Sequence, residues 1–75
     1  MVRMTAEEWI AAYAQALGQT PPTEEEIATL LRLASEAAHA SERRAAPIAC
    51  WLSARAGVAP AEALAAAANV RQHPL

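Results

Sequence analysis

The sequence predicts an all-α fold, a compact four-helix domain with short connections, and three observations carry that expectation. Twenty-two of the 75 residues are Ala, there is no Phe, Lys or Asp, and hydrophobic residues make up 55% of the chain. Ala has the highest helix propensity and the smallest apolar area, so such a chain buries surface only by helices that approach closely. Four segments also show a helical period, at about residues 6–17, 24–43, 47–56 and 60–71. Gly18, Gly57 and the prolines at 21, 22, 47 and 60 stand at the boundaries of those segments. At this length there is one domain, residues 1–75, and no room for a second.

The first helix starts at Thr5-Ala6-Glu7-Glu8, a capping box in which the Thr hydroxyl accepts from the Glu8 N–H and the Glu8 carboxylate reaches back. Ala6, Trp9, Ile10, Tyr13 and Leu17 fall on one stripe, and Gly18 ends the helix because it takes positive φ without a Cβ clash. Gln19-Thr20-Pro21-Pro22 is an extended linker. Thr23-Glu24-Glu25-Glu26 is a second capping box, with three acids where the helix dipole favours them. The second helix places Ile27, Leu30, Leu31, Ala34, Ala37 and Ala38 on its apolar face, and Glu25, Arg32, Glu36, His39 and Arg43 opposite.

Pro47 disfavours helical geometry at Ala46, so the third helix is expected to begin at Pro47 and to end at Gly57. It is apolar nearly all round, with Ile48, Trp51 and Leu52 on one side, which predicts the most enclosed element of the bundle. Arg55 shares that side and must turn its head outward or meet a carboxylate. The fourth helix begins at Pro60, carries Leu64, Ala67 and Val70, and runs to about Arg71, leaving 73–75 as a tail. Trp9, Tyr13 and Trp51 are expected in the core, with an aromatic anchor for a partner protein as the alternative. The fourth helix is expected to lie close on a thin Ala face that is the first place to look for a partner chain.

Composition excludes several functions. Six Arg, eight Glu and two His give a net charge of −2 with no basic face, which disfavours nucleic acid. No apolar run is long enough to span a bilayer, and with a single cysteine and no leader signal at the start the cytoplasm is the expected compartment. No cofactor fingerprint, P-loop or nucleophile elbow is present, so no catalytic constellation and no cofactor is expected. Cys50, in an apolar helix, is expected to be inert.

The densest chemistry is Glu36, His39, Glu42, Arg43 and Arg44 at the end of the second helix. Glu36 and His39 have the i,i+3 spacing of a metal-ligand pair, but one pair supplies only two ligands, and no metal site is assigned. The pattern otherwise fits a solvated face of helical ion pairs, with cations at the negative end of the helix dipole. The alternative is an anion or cofactor-handling site of His39, Arg43, Arg44 and Glu36, joined by amides near Pro47 and Ile48 if the third helix turns back. A further alternative reads Leu52 to Pro60 and the fourth helix as a helix-turn-helix, which the Ala-rich would-be recognition helix makes a poor DNA reader.

The run Ala38-His39 followed by Arg43 and Ala45-Ala46-Pro47, with Trp9, Leu17-Gly18 and Leu52 around it, resembles a small bacterial helical domain of uncharacterised function. That domain occurs alone and also fused to, or encoded with, the guanylyltransferase that completes the molybdenum cofactor. The resemblance implies an accessory role near molybdenum-cofactor maturation and singles out His39, Arg43 and Pro47. The sequence thus leads to a non-enzymatic accessory or protein-interaction module, with a protein partner, a molybdenum-cofactor enzyme among the candidates, or self-association as a homo-oligomer.

Overall fold

A computed structural model describes residues 3–72, the last two by their backbone, so the tail expected at 73–75 lies outside the described residues. It is an all-α, four-helix domain: α1 (Ala6–Ala16), α2 (Glu24–Ala40), α3 (Ala45–Ala56) and α4 (Pro60–Gln72).

Both capping boxes form. In α1 the Glu8 N–H donates to Thr5 Oγ1 at 3.1 Å and the Thr5 N–H donates to Glu8 Oε1 at 2.8 Å. In α2 the same reciprocal pair joins Thr23 and Glu26 at 3.0 and 2.8 Å. Gly18 closes α1 with φ 70°, and the Gly18 and Gln19 amides return to the carbonyls of Gln15 and Ala14. Gly57, φ 74°, closes α3 with its amide on Ala54 and the Val58 amide on Ser53. These doubled returns satisfy carbonyls that a helix end leaves without partners.

Two boundaries differ from expectation. The second helix ends at Ala40 instead of near Arg43, because Ser41 leaves helical geometry at φ −141°, ψ −99°. The third starts at Ala45, two residues before Pro47. Pro47 is its third residue, inside the first turn, where amides have no intrahelical acceptor and a missing N–H costs little. Helices two and three are therefore separate, joined by the turn 41–44.

Helix α2 is the spine. Both α3 and α4 pack extensively along it, and no other pair of helices, α1 included, has packing of that extent. The short 57–59 connection returns the chain to the start of α2, where Pro60 of α4 lies near Glu25, Glu26 and Thr29. The chain therefore runs antiparallel in α3 and parallel in α4 relative to α2. The buried core consists of Leu33 on α2 (2% exposed), Ala63 on α4 (5%) and Ala14 on α1.

This core corrects the sequence reading. Leu33 was not placed on the apolar face of α2, whereas Leu31, which was, is 65% exposed. Helix α3 is not enclosed and has no buried residue. Trp9, Tyr13 and Trp51 are all exposed. Helix α4 packs along α2 with Ala63 buried, while Ala66 and Ala67 line an open groove.

The molecule measures 46 × 27 × 18 Å with a radius of gyration of 13.6 Å, against about 11 Å for a closed domain of this length. Its surface is 6304 Å², where a closed monomer of this mass exposes about 4,400 Å². Large apolar side chains are among what it exposes, Trp9 and Tyr13 on α1 and Ile48, Trp51 and Leu52 on α3 with them.

Candidate functional site: an apolar groove beside a polar turn

Because α3 and α4 both lie along α2 without extensive packing on one another, they leave a groove between them. Leu33 and Ala37 form its floor, Ile48 and Leu52 one wall, and Ala63, Ala67 and Val70 the other. Its volume is about 1010 Å³, at the upper limit of the roughly 300–1,000 Å³ of small-molecule sites. Small-molecule sites gather convergent polar groups. Here the lining is overwhelmingly apolar, and three of its few polar residues, Ser41, Glu42 and Arg44, sit together at the α2–α3 turn.

Ala is what makes the groove possible. Ala37, Ala40, Ala45, Ala49, Ala66 and Ala67 leave its sides low, so Ile48 (58% exposed), Leu52 and Val70 project beside open space instead of into a neighbour. Ser53, on the same helix, donates its hydroxyl to the Ala49 carbonyl at 2.9 Å, and so brings no unpaired donor to the wall.

The polar residues singled out in the sequence are divided by the fold. Glu36 is half-buried and lines the groove, as do Glu42 and Arg44, which pair at 3.5 Å in the open. Exposed pairs of this sort add little stability. His39 is exposed, its Nδ1 is 3.1 Å from the Ser35 hydroxyl, and neither it nor Arg43 lines the groove. The α3 amides expected to assist an anion are partly used: the Ala45 N–H donates to Glu42 O and the Ala46 N–H to Arg43 O. Pro47 has none. Among the described residues, no group of three or more potential ligands is placed to hold a metal ion.

On α3, Arg55 is exposed, as the outward alternative expects, and its guanidinium lies 4.5 Å over the exposed Trp51 ring. Cation–π stacking of this kind keeps the charge in solvent while covering part of the indole. Cys50 is half-buried. On α1 the Trp9 and Tyr13 rings stack at 4.9 Å and 24°. Trp9, Tyr13 and Leu17 are spaced i, i+4, i+8, and all three are more than half exposed. The stripe itself is legible in the sequence; its exposure, and the groove, are not. The signal available for that exposure was size: side chains too bulky for the number of other large residues present to enclose.

The helix-turn-helix alternative finds no support in this arrangement. In that motif two helices pack across a tight turn, whereas α3 and α4 here are separated by the groove, and α4 offers Glu62 and Asn69 among alanines. Among the described residues no helix is long and apolar enough to cross a membrane.

No curated protein and no solved structure matches the chain. The model of a family described as a domain of unknown function, DUF6457, matches residues 1–73. Nearly the whole chain is thus accounted for by that one model, and the protein belongs to the DUF6457 family.

Proposed function

We propose that the chain is a non-enzymatic protein-interaction module whose α2–α3–α4 groove receives an apolar helix. One observation carries the reading: an apolar trench of about 1010 Å³ that no element of the same chain covers. Exposed apolar patches of this extent on a small domain mark interaction surfaces. The resemblance to a domain fused to or encoded with the molybdenum-cofactor guanylyltransferase adds a workplace, cofactor maturation in the cytoplasm, and that enzyme as the protein it accompanies.

The reading is tested by Ile48→Asp with Leu52→Asp, two groove-wall residues exposed enough to change without disturbing the helices. Sedimentation of the chain alone and titration against purified molybdenum-cofactor guanylyltransferase are the two measurements. An association made by the natural chain and weakened at least tenfold in the variant, at unchanged helicity, supports the groove. Absence of any association, or one that the variant retains, removes it.

A second reading is favoured by the placement of His39, Arg43 and Arg44, all exposed around the single turn 41–44. There they form a small anion-handling patch with Glu36 nearby, suited to a phosphate of a molybdopterin nucleotide, which Arg binds in bidentate fashion. Replacing Arg43 and Arg44 with Ala is expected to abolish binding of a guanosine nucleotide without loss of helicity. Natural-chain binding that is absent, or that survives both substitutions, ends this reading.

A further inference from the structure

We infer that the helix received by the groove is α1 of a second copy of this chain, so that two chains exchange their α1 helices reciprocally. The inference rests on the groove reading above and names its occupant.

Three observations converge on it. The first is an uncovered stripe: Trp9, Tyr13 and the C-cap residue Leu17 lie along one face of α1, each more than half exposed, on a helix whose buried residue is the small Ala14 and which has no extensive packing of the kind α3 and α4 make on α2. Aromatic side chains each bury about 150–250 Å² when covered, and they dominate the energetics of interfaces. The second is that the missing counterpart is present in the same molecule. The groove has the complementary character, an Ala-lined trench walled by Ile48, Leu52 and Val70.

The third is that the linker holds the two apart. The end of α1 is fixed by the Gly18 and Gln19 amides returning to Gln15 and Ala14, and the start of α2 by the Thr23–Glu26 box. Only residues 20–22 remain between these fixed ends, and two of them are proline, with Thr20 and Pro21 each further restricted by the proline that follows. So short and stiff a connection holds α1 away from its own groove, where it is available to another chain, the arrangement from which reciprocal exchange follows.

Area supports a second copy over a casual contact. The chain exposes about 1,900 Å² more than a closed monomer of its mass. A standard interface removes about 800 Å² per partner, so the excess is on the scale of an obligate homodimer, not a transient encounter. In a two-fold pair each groove and each stripe is used once, and both are covered by the same event.

The test is sedimentation equilibrium over a wide concentration range on four chains, each checked by circular dichroism. The natural chain is expected at twice its 7.9 kDa mass. Trp9→Asp with Tyr13→Asp alters the stripe while leaving both capping boxes in place; Ile48→Asp with Leu52→Asp alters the groove. Both are expected to be monomers, with dimerisation weakened at least a hundredfold. Leu31→Asp, exposed and outside the groove, is expected to remain a dimer. A dimer that survives loss of the stripe overturns the inference even if the groove variant is monomeric. A natural chain at 7.9 kDa throughout also overturns it, while groove-dependent binding of the guanylyltransferase by that monomer leaves the module reading standing.

Discussion

Leu33→Ala is expected to lower the thermal unfolding midpoint by about 10 °C or more at fixed protein concentration. Leu33 is 2% exposed and is the only large side chain among the three buried residues described. Truncating a buried Leu costs about 2–5 kcal/mol, partly for lost transfer energy and partly for the cavity left behind. A domain of this length has about 4–11 kcal/mol in total, and each kcal/mol moves the midpoint by about 4–8 °C. Leu33 is also the most buried residue of the helix along which α3 and α4 pack, so cooperativity should suffer along with the midpoint. The control is Leu31→Ala, two residues away on the exposed side of the same helix, which should cost less than about 0.5 kcal/mol. If circular dichroism melts give the two variants the same midpoint, the assignment of the buried face is wrong.

Ala63→Leu is expected to be destabilising by about 1–3 kcal/mol, despite improving the hydrophobicity of α4. Ala63 is 5% exposed, on a helix that packs along α2, and it lines the same groove as Leu33. Three further carbons there must displace a helix or force Leu33 off its rotamer. The same change at Ala65, which is exposed and outside the groove, should leave stability within about 0.5 kcal/mol. Chemical denaturation of the two variants compares them directly. Equal stability would mean that α4 is not held by the close approach of small side chains.

Local signals in the sequence were sufficient for the helices themselves. Thr5 with Glu8, Thr23 with Glu26, Gly18, Gly57 and Pro60 each act within a few residues, and each appears where the chain places it. On α2 the expected face is the covered one, with Ile27, Leu30, Ala34, Ala37 and Ala38 all half-buried; what local chemistry does not contain is which edge of that face goes deepest. Ile27, Leu30, Leu31, Leu33, Ala34, Ala37 and Ala38 spread over so wide an arc that either edge is a plausible core. Residue bulk favours the Leu31 edge. The positions of α3 and α4 select the Leu33 edge instead, and those positions follow from tertiary packing.

The aromatic residues show the same limit in another form. Assigning Trp9, Tyr13 and Trp51 to the interior assumes that one chain has enough large neighbours to enclose them. With Ala supplying most of the apolar residues, it does not, and the rings remain at the surface. The chemistry at the turn was legible as a cluster of residues, but not as an arrangement. The sequence places Glu36 and His39 three residues apart, and the fold turns Glu36 toward the groove while leaving His39 outside it. The four-residue turn 41–44 does the same to Arg44 and Arg43.

The claim that α1 of one chain fills the groove of another is tested most directly by isotope-filtered nuclear Overhauser spectroscopy on an equal mixture of labelled and unlabelled chains. The account predicts intermolecular contacts from the ring protons of Trp9 and Tyr13 to the methyl groups of Ile48, Leu52 and Val70. Rings that contact those methyls only within a single chain, or that contact none of them, would contradict it.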